Sequence, residues 1–184
     1  MFGPQAVLGP ECAKTAFRRN ACACQNYNLA HATALCWDVR ITKRILFVCL
    51  GNICRSPTAE AVFTQISDGA FEVDSAGTAD WHHGKPPYGP MQDAALARGI
   101  AMDHLRARPF TARDFDDFDL ILGMDAQNLS DIEHLRPKGN ATPVENFARF
   151  ANQTEVPDPY YTRDFEGALD LIEQASKALL DQLQ

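Results

Sequence analysis

Apolar residues in this chain fall into two kinds of run. Ile45-Leu46-Phe47-Val48 has no polar break, as expected of a strand covered on both faces, and Asp119-Leu120-Ile121-Leu122-Gly123-Met124-Asp125 reads as a second such strand. Phe71–Gly77 is a third candidate strand. Thr142-Pro143-Val144 is the candidate for the last, placed at an edge because proline has no amide to donate. Between these runs the apolar positions recur at helical spacing. Ala61, Val62 and Ile66 share one face of Thr58–Ser67, and Leu169, Ile172, Ala175, Leu179 and Leu180 make a stripe along Asp164–Leu183. Pro90–Arg98 is a helix ended by Gly99, Thr111–Phe118 a short helix opened by a capping threonine, and Ala126–Leu135 a further helix. Strands alternating with helices predict a single-domain, three-layer α/β fold over residues 41–184, a four-stranded parallel sheet with helices on both faces. Its ligand should bind above the carboxyl ends of the strands.

Residues 1–40 break this pattern. They hold Cys12, Cys22, Cys24 and Cys36, lack serine, and have Glu11 and Asp38 as their only acids against Lys14, Arg18, Arg19 and Arg40. With no helical or alternating period they read as a poorly ordered extension. An organelle-targeting segment, a zinc site built from Cys22, Cys24, His31 and Cys36, and a start codon assigned too early are the three explanations. The third is preferred, since a true start near Val39–Lys43 would leave a complete domain; the C-x-C spacing suits the usual structural zinc sites poorly.

The chemistry gathers where the first strand ends. Cys49 follows Val48, and Pro57 with the run after it marks a helix start, so Leu50-Gly51-Asn52-Ile53-Cys54 must curl between them before Arg55. Backbone N–H groups in such a loop point inward at the positive end of a helix dipole and form a cradle for a phosphate dianion. The same field and a nearby guanidinium favour the thiolate of Cys49. Arg55 offers a planar fork of donors for two phosphate oxygens. Gly51 and Asn52 suit left-handed backbone angles, and the Ser56 hydroxyl can donate to the sulfur when it later leaves.

Val48-Cys49-Leu50-Gly51-Asn52-Ile53-Cys54-Arg55-Ser56-Pro57 resembles the signature of the low-molecular-weight protein tyrosine phosphatases, and the likeness runs from about Lys43 to the C-terminus. The resemblance implies hydrolysis of phosphotyrosine through a cysteinyl-phosphate, without metal or cofactor. It also implies that Ser75 and His104 support Asn52 from behind, and that Trp81, on the Gly- and Pro-rich loop Thr78–Pro90, lines the substrate crevice. His82 and His83 read as solvated. Asp125, at a strand end before a helix, reads as a cap in preference to a partner of the catalytic residues.

Val156-Pro157-Asp158-Pro159-Tyr160-Tyr161 is the second chemically loaded stretch. Two prolines leave Asp158 few backbone options and so aim its carboxyl group. A phenolate leaves slowly at neutral pH unless a proton arrives in the transition state, and Asp158 is placed to supply it. Tyr160 and Tyr161 would form aromatic walls with Trp81.

Composition narrows the partners. The 184 residues carry a net charge of −7, which argues against a general nucleic-acid or anionic-membrane binder and leaves anion binding to a local site. No apolar run approaches the ~18 residues of a membrane span. Of six cysteines none follows Cys54, unlike a secreted disulfide framework, which points to a reducing, cytoplasmic compartment; the resemblance implies a monomer or weak dimer acting on phosphotyrosine proteins, a tyrosine kinase among the candidates. Thiol-dependent arsenate reductases share the loop but need cysteines downstream. Protein arginine phosphatases are a nearer alternative, though they usually carry threonine where Ile53 stands and lack the double tyrosine. A non-catalytic phosphate-binding or redox-sensing module using Cys49 and Cys54 is the alternative from another class, in which Asp158 would have no use.

Overall fold

The computed structural model describes residues 42–184. Alternation along one strand organises the architecture. In β1 (Arg44–Cys49) the side chains of Ile45, Phe47 and Cys49 enter one hydrophobic cluster and those of Leu46 and Val48 another, because successive residues of a strand face opposite sides. The first cluster is completed by α1 (Arg55–Ser67), α2 (Gly89–Ala97) and α6 (Phe165–Leu183), the second by Phe115 of α3 (Asp114–Asp117) and Ile132 of α4 (Ala126–His134). Helices therefore cover both faces, and the uninterrupted apolar run of β1 follows from double burial.

The sheet is parallel throughout, in the order β2-β1-β3-β4, with β2 at Glu72–Gly77, β3 at Leu120–Gly123 and β4 at Val144–Asn146. The chain passes from β1 to one neighbour, then crosses to the other side, so the order reverses around β1. The crevice at the carboxyl ends of such strands is the natural ligand site of an open α/β sheet. β1 and β2 end together, with Cys49 opposite Gly77. A Cβ on Gly77 would lie 2.9 Å from the Leu50 carbonyl oxygen and 3.1 Å from the Asn52 amide nitrogen, so only glycine lets the loop fold back against the strand.

The expected edge strand falls two residues later than Thr142–Val144, because Pro143 offers its carbonyl to the Ile121 amide before regular pairing begins. α1 begins at Arg55, earlier than Thr58, so Arg55 and Ser56 are fixed on the first helical turn. A 3-10 turn at Phe147–Ala151 has no counterpart in the expected elements. It brings Phe147 edge-on against Phe47 with ring centres 5.0 Å apart, while the Phe63 ring centre lies 5.9 Å from that of Phe47. Phe47→Ala should lower stability by about 3–5 kcal/mol. Denaturant titration checks this, and a loss below about 1 kcal/mol would contradict the central place given to the ring. Residues 1–40, with the zinc set Cys22, Cys24, His31 and Cys36, lie outside the described residues.

Candidate active site

The loop between β1 and α1 takes its shape from sequence. Asn52 adopts φ 53°, the left-handed region that asparagine tolerates best among residues with a Cβ. Gly51 does not share that conformation; a Cβ there would stand 3.0 Å from the His82 ring, which would have to shift to admit it. No side chain caps the N-terminus of α1, which leaves its first-turn amides to an anion.

Cys49 is 3% exposed, at the floor of a cavity of about 250 Å³. Its sulfur accepts from the Asn52 amide at 3.3 Å and from the Ser56 hydroxyl at 3.0 Å. Leu50, Gly51, Ile53, Cys54, Arg55, Trp81, Asp158, Tyr160 and Tyr161 line the same cavity, which brings together most of the residues expected from sequence. Trp81 and Tyr161 are 68% and 74% exposed, and the Tyr161 ring meets Tyr160 edge-on with centres 5.5 Å apart. His82, expected to be solvated, also lines the cavity, packed against Gly51.

Arg55 is 4% exposed and held by three acceptors. Its Nη1 donates to Asp125 Oδ2 at 2.6 Å and to the Val156 carbonyl at 3.2 Å, and its Nη2 donates to Asp158 Oδ2 at 2.9 Å. Burial alone would push the guanidinium down; the negative charge of Cys49, Asp158 and Asp125 outweighs it and holds Arg55 above its ordinary value. Asp125 thus does both things that sequence left in competition: Oδ1 caps α4 at the Asn128 amide while Oδ2 anchors Arg55. Asp158 likewise turns one oxygen to Arg55 and the other to the Tyr160 amide, capping α5 (Pro159–Thr162).

The two cysteines differ in environment. Burial, then the charges of Cys49 and Asp158, push the Cys54 thiol up to about 12, so it stays protonated beside its neighbour.

Behind the loop, Asn52 Nδ2 donates to Ser56 Oγ at 2.9 Å and to Ser75 Oγ at 2.8 Å, which places Ser75 where it was expected. His104 is a correction. Its side chain is 69% exposed with Asp103 alongside, and Asn52 Oδ1 accepts instead from the Arg108 backbone amide at 2.9 Å. Arg108 is itself fixed by ion pairs to Asp74 and Asp114, a brace that needs no histidine. Among the described residues no group of three or more His, Cys, Asp or Glu side chains is placed to hold a metal ion.

Comparison with known proteins agrees with this geometry. A sequence model of the family described as "Low molecular weight phosphotyrosine protein phosphatase" matches residues 44–184. The low molecular weight protein-tyrosine-phosphatase YfkJ of Bacillus subtilis is 38% identical over 148 residues, covering 76% of this chain and 95% of YfkJ. The crystal structure of YfkJ superposes with a TM-score of 0.74, covering 78% of this chain and 95% of that one. A protein tyrosine phosphatase from Entamoeba histolytica, solved with Hepes in its active site, is 35% identical with a TM-score of 0.72 over 77% of this chain and 97% of its own. The Drosophila arginine phosphatase DARP is also similar, at 29% identity and a TM-score of 0.72 over 76% of this chain and 97% of that one. The chain belongs to the low molecular weight phosphotyrosine protein phosphatase family.

Proposed function

We propose that this protein hydrolyses phosphotyrosine in proteins through a cysteinyl-phosphate on Cys49. The observation that carries the reading is the convergence on one cavity of a buried sulfur, a buried guanidinium and a carboxyl group from a separate turn. The phosphate dianion enters the cradle and competes with Asp158 for the Arg55 fork, since both offer oxygens to the same Nη2. Asp158, turned from the guanidinium towards a dianion, carries a proton. The Cys49 thiolate forms the sulfur–phosphorus bond as the bond from phosphorus to the phenolic oxygen breaks. The electron pair of that bond leaves with the oxygen, which takes the Asp158 proton. Loop amides and Arg55 stabilise the charge on the equatorial oxygens.

In the second half Asp158 accepts a proton from the attacking water, a new phosphorus–oxygen bond forms, and sulfur departs as thiolate. The Ser56 hydroxyl, 3.0 Å from Cys49, then steadies that thiolate as leaving group. Trp81, Tyr160 and Tyr161 provide flat apolar walls that suit an aryl ring better than a flexible guanidinium chain. A cytoplasmic setting, where thiols stay reduced, suits Cys49 and Cys54, the free cysteines among the described residues.

Steady-state turnover of matched phosphotyrosine and phosphoarginine peptides tests the reading. Phosphotyrosine should be preferred by an order of magnitude or more in kcat/KM. Preference for phosphoarginine would assign the site to the alternative chemistry on the same scaffold.

A further inference from the structure

Glu60, half-buried on α1, is outside the cavity lining and takes no part in the steps above. Its Oε2 accepts from the Ser75 hydroxyl at 2.6 Å. A serine hydroxyl has one proton, and giving it to Glu60 leaves the Ser75 oxygen with only lone pairs to offer Asn52 Nδ2, 2.8 Å away. The second Nδ2 hydrogen goes to Ser56 Oγ at 2.9 Å, and Ser56 donates to the Cys49 sulfur at 3.0 Å. A chain of hydrogen bonds therefore runs from Glu60 to the reacting sulfur; its last link is shared, since the one Ser56 proton faces the Ala76 carbonyl oxygen at 3.2 Å as well as the nearer Cys49 sulfur.

We infer that Glu60 is a positioning residue whose negative charge polarises Ser75 and through it sets Asn52 and Ser56 against Cys49. The charged groups that bear on Glu60 are Asp74 of β2 and Arg108, which is paired with Asp74 and Asp114. Burial, with Asp74 adding to it, pushes Glu60 up to about 7 although the Ser75 hydrogen bond and Arg108 oppose the rise. The carboxyl group therefore changes charge in the range where a cytoplasmic enzyme works. When it takes up a proton, the hydrogen bond from Ser75 loses its charged acceptor and the chain loses its fixed sense.

The linkage has a definite sign. A carboxyl group raised in the folded state destabilises the fold when ionised, a penalty absent below about pH 4.5 and complete above about pH 7. Glu60→Gln, which keeps an acceptor for Ser75 but cannot ionise, should be more thermostable than the wild type, by a margin that widens from pH 5 to pH 8. The activity should move the other way.

This inference rests on the phosphatase reading and is tested with full-length protein and saturating p-nitrophenyl phosphate. The ratio of wild-type to Glu60→Gln kcat should rise about fivefold between pH 5.5 and pH 8, the contrast between a charged and a neutral acceptor. Taking the ratio cancels the titration of Asp158 and of the substrate. In a Ser75→Ala background the same ratio should be flat. A ratio that is constant with pH in native Ser75 protein, as a merely structural role would give, overturns the inference and leaves the phosphatase reading intact. A rise that persists without Ser75 also overturns it, because Glu60 would then act by another route. Absence of turnover by the wild type would overturn the phosphatase reading and this inference with it.

Discussion

Cys49→Ser protein should bind inorganic phosphate and fail to turn over aryl phosphates, with kcat lowered by about four orders of magnitude or more. The asymmetry follows from what each group does. In the proposed reading phosphate is held by the loop amides and by Arg55, which Asp125 and the Val156 carbonyl keep in place without the sulfur. In the proposed mechanism the bond to phosphorus is made by sulfur alone, and a serine hydroxyl is a far weaker nucleophile than a cysteine sulfur. Calorimetry with phosphate and turnover of p-nitrophenyl phosphate separate the two. Turnover within an order of magnitude of the wild type would mean that another group attacks.

Asp158→Ala should lower kcat for phenyl phosphate by about 10²- to 10⁴-fold, the usual contribution of a placed general acid, and far less for an ester of a strongly acidic phenol that leaves without help. The residue also pairs with Arg55 in the free enzyme, 2.9 Å from Nη2, so its removal frees a donor that phosphate would otherwise have to win. Phosphate binding should hold or tighten while turnover falls. Equal losses for good and poor leaving groups would remove Asp158 from the acid role and leave it as a brace for Arg55.

What sequence could convey was whatever is local. The spacing from Cys49 to Arg55 fits a loop that runs from a strand into a helix, the Pro-Asp-Pro run aims Asp158, and the apolar β1 run requires cover on both faces. The unforeseen contacts join distant segments through groups that carry no pattern. The amide that holds Asn52 belongs to Arg108, 56 residues on, and a backbone N–H looks the same at every position. The family resemblance points to His104 as the partner, yet His104 faces solvent. Glu60 is one acid within an otherwise ordinary helix, and only the register of β2 brings Ser75 under it. Asp125 showed its capping role because a cap is a local motif, while its pairing with Arg55 spans 70 residues. Phe147 sits in a 3-10 turn too short for any period to announce, and still closes the core beside Phe47.

Central to this account is a covalent bond between phosphorus and the sulfur of Cys49. Acid quenching during turnover of a phosphotyrosine peptide, followed by peptide mapping under conditions that preserve phosphothioesters, observes it directly. One phosphoryl group should appear on the peptide containing Cys49, localised to that residue and not to Cys54 or Ser56, and should be absent from Cys49→Ser protein. Full turnover with no phosphoryl group on Cys49 at any quench time, or one carried by a different residue, would contradict it.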